Sequence, residues 1–478
     1  RAQVHRLPSP SKDPQRRKGE TLTVTNSQTL SSLNPATGGV VGEVPMASPE
    51  EVQRKVALAR EAQENWRSLG LRGRQQVLAP AGKKLVEQAE ELGFLLTEEM
   101  GKPRREGVGE VRSCGTSMER VLQEIVEALE PELLEDKHTR STIYYDPLGV
   151  CAAITPWNFP LAMPHWLVLP ALAAGNTVVL KPSEETPLIA QAYVDLLNTM
   201  LPANILQVVH GADEQGKALV QADVNLIAFT GSRAAGKHIL EAASKGLKRV
   251  ILELGGKDPL IVLRDANLDE AATFAVQNSF RNAGQVCVST ERIYVDQEIA
   301  KDFEQRVATL TQQLKVGAGS EEGVEIGPMI NATQREHVLS QLDDAIARGA
   351  RVVAGGEGHH GNFVMPTVLT ELSPEMKVMR EETFGPIACI LPFASVSEAI
   401  RAANDTPYGL GAAVFGGDEA KALEAARQLD AGMVGVNKSC GGATGAPWVG
   451  AKESGYGFHS SKAGHRQFTQ PRVVSIHK

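Results

Sequence analysis

Apolar residues spaced three or four apart recur from about Pro49 to Ser68, Leu71 to Glu99 and Gly107 to Glu130, and predict three helices in the first part of the chain. The pattern then changes. From His138 to Tyr145 β-branched and aromatic residues predominate and predict a strand pair. Beyond Gly149, short apolar runs alternate with helical stretches: Cys151 to Ile154, a helix near Pro164 to Ala174, Thr177 to Lys181, and a helix from Pro187 to Met200. The series continues with Ile205 to His210, Leu226 to Phe229, a helix from Arg233 to Ser244, and Val250 to Leu254. Such alternation is what a parallel sheet with right-handed crossovers requires.

A second alternating series follows from Pro259 to Val436, with helices near Asn267 to Ala283, Ile299 to Leu314, Thr333 to Arg348, Val396 to Asn404 and Glu419 to Leu429. Two α/β units sharing one chain are therefore expected, with the cut at Gly255-Gly256. No internal repeat or low-complexity linker interrupts them. The Val- and Thr-rich segment Gln467 to Ile476 reads as a last strand.

Composition narrows the class. A chain of 478 residues allows about three domains at ~150 residues each. Hydrophobic content of 42% with 22% charged residues is ordinary for a soluble globular protein. The net charge of −8 argues against nucleic acid or an anionic membrane as the partner. The most apolar stretch, Phe159 to Leu180, is broken by Pro160, Pro164, His165, Pro170 and Asn176, so no transmembrane helix is expected. Cys114, Cys151, Cys287, Cys389 and Cys440 are odd in number, widely spread and without a C-x-x-C pair, which indicates neither a disulfide framework nor a zinc site. No metal is expected at His359-His360, which no further Cys or His cluster accompanies. These features point to a reducing, cytoplasmic compartment. The basic, Pro-containing first twenty residues read as a disordered tail, or alternatively as the remnant of a transit peptide to the mitochondrial matrix.

Candidate chemistry begins at Cys287, in the turn after the helix that Gly284 breaks. A thiol near the N–H groups of such a turn can have a lowered pKa; read alone, the residue is better taken as a small hydrophobe in a core turn. The strand Leu226 to Phe229 runs into Thr230-Gly231-Ser232 and a helix carrying Gly236. Glycines at 231 and 236 would let backbone approach a pyrophosphate at the helix N-terminus. Gly107-Val108-Gly109 is a decoy for such a loop, since no strand precedes it and no third glycine follows. Lys181 and Glu184 lie past a strand's carboxyl end, where open α/β sheets bind ligands. Lys181 suits a ribose hydroxyl. Glu184 suits the adenosine 2′-hydroxyl and would repel a 2′-phosphate, which favours NAD over NADP; the structural alternative is an ordinary Ser183 cap with an acidic first turn.

Around Cys287 stand, in order, Thr155-Pro156-Trp157-Asn158-Phe159-Pro160, Lys181-Pro182-Ser183-Glu184, Phe229-Thr230-Gly231-Ser232, Glu253-Leu254-Gly255-Gly256-Lys257 and Glu381-Glu382-Thr383-Phe384-Gly385-Pro386. From about Leu33 to Val474 the chain resembles the aldehyde dehydrogenase superfamily on these motifs. The resemblance implies an α/β fold of two doubly wound, Rossmann-like domains with a small β oligomerisation arm. It divides the chain into a tail (1–20), an NAD-binding domain (21–128 and 148–255), a catalytic domain (256–454) and the arm (129–147 and 455–478). The last strand would join another subunit's sheet. A homodimer or homotetramer is expected, because the β-rich arms have no obvious partner within the chain.

In that family an aldehyde adds to a cysteine thiolate, here Cys287, and the resulting alkoxide expels hydride readily. Asn158, with the Cys287 backbone N–H, would stabilise the alkoxide. Glu253 would activate the water that hydrolyses the remaining thioester, a residue that coenzyme-A-acylating relatives lack. By the same resemblance Glu382 would bond the nicotinamide ribose, Phe384 would pack beside the ring, and Trp157 would belong to the cofactor site. Met163 and Trp166 would line the substrate tunnel or simply pack in the core. Arg281 matches a carboxylate-binding arginine of succinate-semialdehyde dehydrogenases, but the second arginine of that pair would fall at Trp166, so the match is half made and the reading preferred for Arg281 is a solvated helix arginine. Val449 and Phe458 depart from the family's closing motif and bear on the substrate. A scaffold without turnover is the competing class, against which the joint presence of Cys287, Glu253, Asn158 and Lys181 speaks. A thiol hydrolase would need a Cys–His pair, and no histidine lies close to Cys287 in sequence.

Overall fold

The computed structural model describes residues 28–478, so the tail expected at 1–20 lies outside the described residues. Ser48 caps the first helix, Pro49–Ser68, by accepting from the Glu51 N–H at 3.2 Å, with Pro49 in the first turn. The stretch expected as one helix from Leu71 to Glu99 is three: Gly70–Leu78, Pro80–Glu87 and Ala89–Met100. Pro80 lacks the N–H needed to continue the first of these, and Gln88 leaves the helical region at φ −98°, ψ 9°. The decoy Gly107 sits in the long helix Arg104–Leu129, where a Cβ would stand 2.5 Å from the Gly93 carbonyl oxygen; it serves the close crossing of two helices. A hairpin of Thr29–Leu33 and Val40–Pro45, flanking the Asn34-Pro35 turn, was not visible in the pattern.

Val150–Ile154, Thr177–Lys181, Leu206–Val208, Leu226–Thr230 and Arg249–Glu253 make one parallel sheet. Asp258–Val262, Thr290–Asp296, Thr367–Thr370, Ile387–Phe393, Gly411–Phe415 and Met433–Val436 make another, edged by the antiparallel Arg351–Ala354. Both are covered on two faces. Cys151 and Ala153 enter one hydrophobic cluster while Val150, Ala152 and Ile154 enter another, the two-residue period of a strand buried on both sides. Leu260 and Val262 are divided from Ile261 in the same way in the second sheet. The helix Asp213–Gln221, unpredicted because its sequence is polar around Gly216, supplies a crossover in the first sheet. Arg249–Glu253 and Asp258–Val262 belong to different sheets, so the chain passes from one to the other through Gly255-Gly256.

The β-rich segments do have a partner within the chain, namely each other. Thr469–His477 pairs antiparallel with Thr139–Pro147, from Thr469 opposite Pro147 to His477 opposite Thr139, and Glu132–Glu135 completes a three-stranded sheet. The last strand thus extends its own chain's sheet. Gly455–Tyr456, assigned above to this arm, instead adds an antiparallel strand beside Arg249–Glu253.

Candidate active site

The helix that begins at the Asn267 cap ends at Phe280, not at Ala283 as the periodicity suggested. Asn282 and Ala283 follow with φ 52° and 56°, left-handed conformations that side chains with a Cβ seldom adopt. Their strain is held by a buried net: Asn282 Nδ2 donates to the Asn158 carbonyl at 3.1 Å, and Gln285 Nε2 donates to the Asn282 carbonyl at 3.0 Å. Gln285 Oε1 accepts from the Ile330 N–H at 2.9 Å. The net sets down Cys287, half-buried, in the turn that precedes the strand Thr290–Asp296.

Cys287, Glu253 and Asn158 line one cavity of about 210 Å³, with Met163, Trp157, Glu382 and Phe384. Asn158 is 2% exposed, and its Nδ2 donates one hydrogen to the Gln285 carbonyl at 3.1 Å, leaving the second N–H of the amide. Glu253 Oε1 accepts from the Trp448 indole N–H at 3.2 Å, and Oε2 has no hydrogen-bond partner among the described residues. Burial pushes the Glu253 carboxyl up to about 7, against the pull of the Trp448 donor and the neighbouring Cys287 thiol. The expected lowering of the thiol pKa is not found. Burial first, and then the negative charge of Glu253, raise Cys287 well above the ordinary thiol value. A base is therefore needed to ionise it, and one with a pKa near neutrality stands beside it.

Trp157 and Phe384 meet edge to face, their ring centroids 5.5 Å apart. Glu382 accepts from the Gly256 N–H at 2.9 Å, and burial followed by the charge of Glu291 pushes its carboxyl up to about 8. Gly255 is required here, since a Cβ would stand 2.3 Å from the Glu382 carboxylate oxygens. The Glu382–Phe384 turn hangs on Lys257, already within a quoted motif, and on Glu291 and Gln334, which no motif included. Glu291 accepts from the Thr383 and Phe384 N–H groups, each at 2.9 Å, and pairs with the buried Lys257, whose ammonium also donates to Thr383 Oγ1 at 2.9 Å. One signal was available: Glu291 is an acidic residue in a strand whose every position is buried. Gln334 Nε2 donates to the Phe384 carbonyl at 3.1 Å and also lines the cavity.

A groove of about 610 Å³ shares Pro156, Thr230 and Gly231 with this cavity and carries Lys181 and Glu184. Lys181 Nζ pairs with Glu184 Oε2 at 3.2 Å. Ser232 caps the helix Arg233–Ser244, its Oγ accepting from the Ala235 N–H at 3.3 Å. The groove thus offers a helix N-terminus, a cation, a carboxylate and a small-residue floor, a set that fits a nicotinamide dinucleotide. Gly236 lines neither space. A Cβ there would meet the Leu254 side chain at 2.5 Å, so the close packing of this helix on Leu254 calls for the glycine.

Of the expected substrate residues only Met163 lines the cavity. Trp166 is 38% exposed and lies against Trp448 and His459. Arg281 is exposed, its guanidinium 5.3 Å from the centroid of the Phe159 ring, and does not line the cavity. The unpredicted Trp448 is the side chain bonded to Glu253.

The model of the aldehyde dehydrogenase family matches residues 23–474. A glutarate-semialdehyde dehydrogenase of Pseudomonas putida is 38% identical over 464 residues, 96% of this chain and 96% of its own. The NADP(+) succinate-semialdehyde dehydrogenase GabD of Escherichia coli is 37% identical over 466 residues, again 96% of each chain. Among solved structures, an aldehyde dehydrogenase from Brucella melitensis biovar abortus 2308 superposes with a TM-score of 0.91 at 36% identity, covering 94% of both chains.

Proposed function

The chain belongs to the aldehyde dehydrogenase family, and from that premise we propose that it oxidises an aldehyde with NAD to the free carboxylic acid through a covalent bond to Cys287. The observation that carries this reading is the convergence of Cys287, Glu253 and Asn158 on one cavity continuous with the Lys181–Glu184 groove.

Glu253, with a carboxyl near 7, takes the thiol proton, and the sulfur bonds the aldehyde carbon. The free N–H of Asn158 steadies the alkoxide oxygen. A bound nicotinamide cofactor supplies the hydride acceptor. Glu253 releases the thiol proton to solvent and, ionised again, accepts a proton from the water that attacks the thioester carbon, and sulfur departs with the electron pair of the C–S bond. Trp157 and Phe384, edge to face on the cavity wall, would pack beside the nicotinamide ring.

Glu184 supports NAD, because a 2′-phosphate beside its carboxylate would be repelled; the relative from Escherichia coli is named for NADP(+), so this choice is the chain's own. Relatives named for semialdehydes make short ω-carboxylated aldehydes the first substrates to try, beside aliphatic ones. The exposed Leu133, Leu134, Val473, Val474 and Ile476 of the three-stranded sheet support a homodimer or homotetramer. Five free cysteines suit a reducing cytoplasm, and no described helix is long and apolar enough to cross a membrane.

The test is NADH formation with NAD and a panel of aliphatic, aromatic and ω-carboxylated aldehydes, beside Cys287→Ala. Turnover lost in that variant supports the covalent route. Undiminished turnover in Cys287→Ala, or no turnover by the unaltered protein with any aldehyde and either cofactor, overturns it.

A further inference from the structure

Trp448 belongs to neither the expected catalytic set nor the cavity wall, yet it makes the hydrogen bond that Glu253 receives. Its place is over-determined. The Trp448 N–H donates to the His459 carbonyl at 3.0 Å, forming an isolated antiparallel bridge with that residue. The indole then stacks on the His459 ring at 17° between planes and leans on Trp166 at a centroid distance of 6.0 Å. The three rings form a cluster, with Trp166 and His459 themselves 6.1 Å apart, and together with the backbone bridge it restrains the indole Nε1–H, which donates to Glu253 Oε1 at 3.2 Å. The carboxylate is left with one oxygen held and one, Oε2, unpartnered.

We propose that Trp448 is a positioning residue for the Glu253 base, anchoring Oε1 so that Oε2 is the oxygen that accepts the proton of the attacking water. This rests on the hydrolytic reading of the site given above. In the step concerned, the water oxygen bonds the acyl carbon, its proton passes to Oε2, the C–S bond breaks, and its electron pair returns to Sγ of Cys287. A donor to a carboxylate strengthens as charge develops, so the indole also favours the ionised base. The titratable groups facing Glu253 are otherwise acidic: the Cys287 thiol and the carboxyls of Asp258 and Glu382. His337 lines the same cavity and bonds the Glu382 carbonyl, while the Lys257 ammonium is taken by Glu291 and Thr383. Apart from the Cys287 thiol, whose proton is spent in the reaction, Trp448 is the side-chain donor facing Glu253.

Two replacements separate the N–H from the ring: Trp448→Phe, and incorporation at position 448 of benzothienylalanine, the isostere in which sulfur replaces the indole N–H. The carboxyl band of Glu253, isolated as the infrared difference between each protein and its Glu253→Gln counterpart, is titrated without substrate. Decay of the acyl-enzyme formed from p-nitrophenyl acetate is followed in parallel. The expected result is a midpoint raised by about one pH unit and a decay at pH 7 slowed roughly tenfold, with the aldehyde KM changed less than about twofold. An unchanged midpoint and decay rate, or a raised KM alone, would make Trp448 a packing residue and overturn the proposal. Should the phenylalanine variant fail to fold, the isostere decides. Full acylation of a Cys287→Ala protein would instead refute the underlying function, an outcome distinct from these.

Discussion

The Lys102 ammonium donates to the backbone carbonyl of Asn158 at 2.8 Å, so a fully buried cation holds the residue whose amide faces the Cys287 cavity. Its charge is balanced by Glu110 at 2.8 Å, whose second oxygen accepts from the Leu161 and Ala162 N–H groups just beyond. Lys102 also lies 3.9 Å from the centroid of the Phe159 ring. Removing one partner strands a buried charge. Lys102→Met is expected to cost about 3–5 kcal/mol of stability in urea unfolding. In whatever fraction stays folded, kcat should fall while the Kd for NAD, read by protein fluorescence, holds. An equal loss of NAD binding would mean that the network supports the whole sheet and not the Asn158 loop.

Glu253 should make stability depend on pH. Its folded carboxyl, near 7, lies above the ordinary value of 4.5, so the unfolded chain releases this proton first as pH rises. The contribution is neutral below about 4.5, becomes unfavourable between there and 7, and is constant above. Glu253→Gln, which cannot ionise, should therefore be more stable than the unaltered protein at pH 8.5 by up to about 3 kcal/mol, with the gap closing toward pH 5. Denaturant titrations at three pH values measure it, and a gap independent of pH would contradict the assignment.

Glu184 is the residue to change for cofactor choice. Its carboxylate is 41% exposed at the groove, held by Lys181. Glu184→Ala frees that lysine for an added phosphate and removes the repulsion. The ratio of kcat/KM for NADP to that for NAD should rise by roughly tenfold or more. A ratio that does not move would place the discrimination elsewhere in the groove.

Gly284 brings the Cys287 turn against the Phe384 turn. At φ +71° it follows the two left-handed residues, and a Cβ would fall 2.1 Å from the Gly385 carbonyl oxygen, on the far side of the Phe384 turn. Neither backbone can yield without displacing Cys287 or Phe384. Gly284→Ala is expected to lose about 1–3 kcal/mol and most of its turnover. Thermal melts beside NADH assays check this; normal kcat with normal stability would show that the junction adapts.

What the sequence by itself determined was local in origin. The two-residue period of Cys151 to Ile154 and the helical period of Arg233 to Ser244 express which faces each element buries, and the doubly wound architecture follows from their alternation. Cys287, Glu253 and Asn158 became candidates in the sequence because each sits in a short motif that resembles the family's, and the structure brings the three to one cavity. Tertiary structure alone decided the rest. The Trp448–Glu253 bond spans 195 residues and the Lys102–Asn158 bond spans 56, and no local pattern encodes which distant side chains packing will bring together. It likewise turned Gly236 toward Leu254, paired the last strand with its own chain, and kept Arg281 out of the cavity. It also reversed the direction of the Cys287 shift, because desolvation and a neighbouring carboxylate are properties of the assembled cavity, whereas a turn's N–H groups are all that a linear sequence displays.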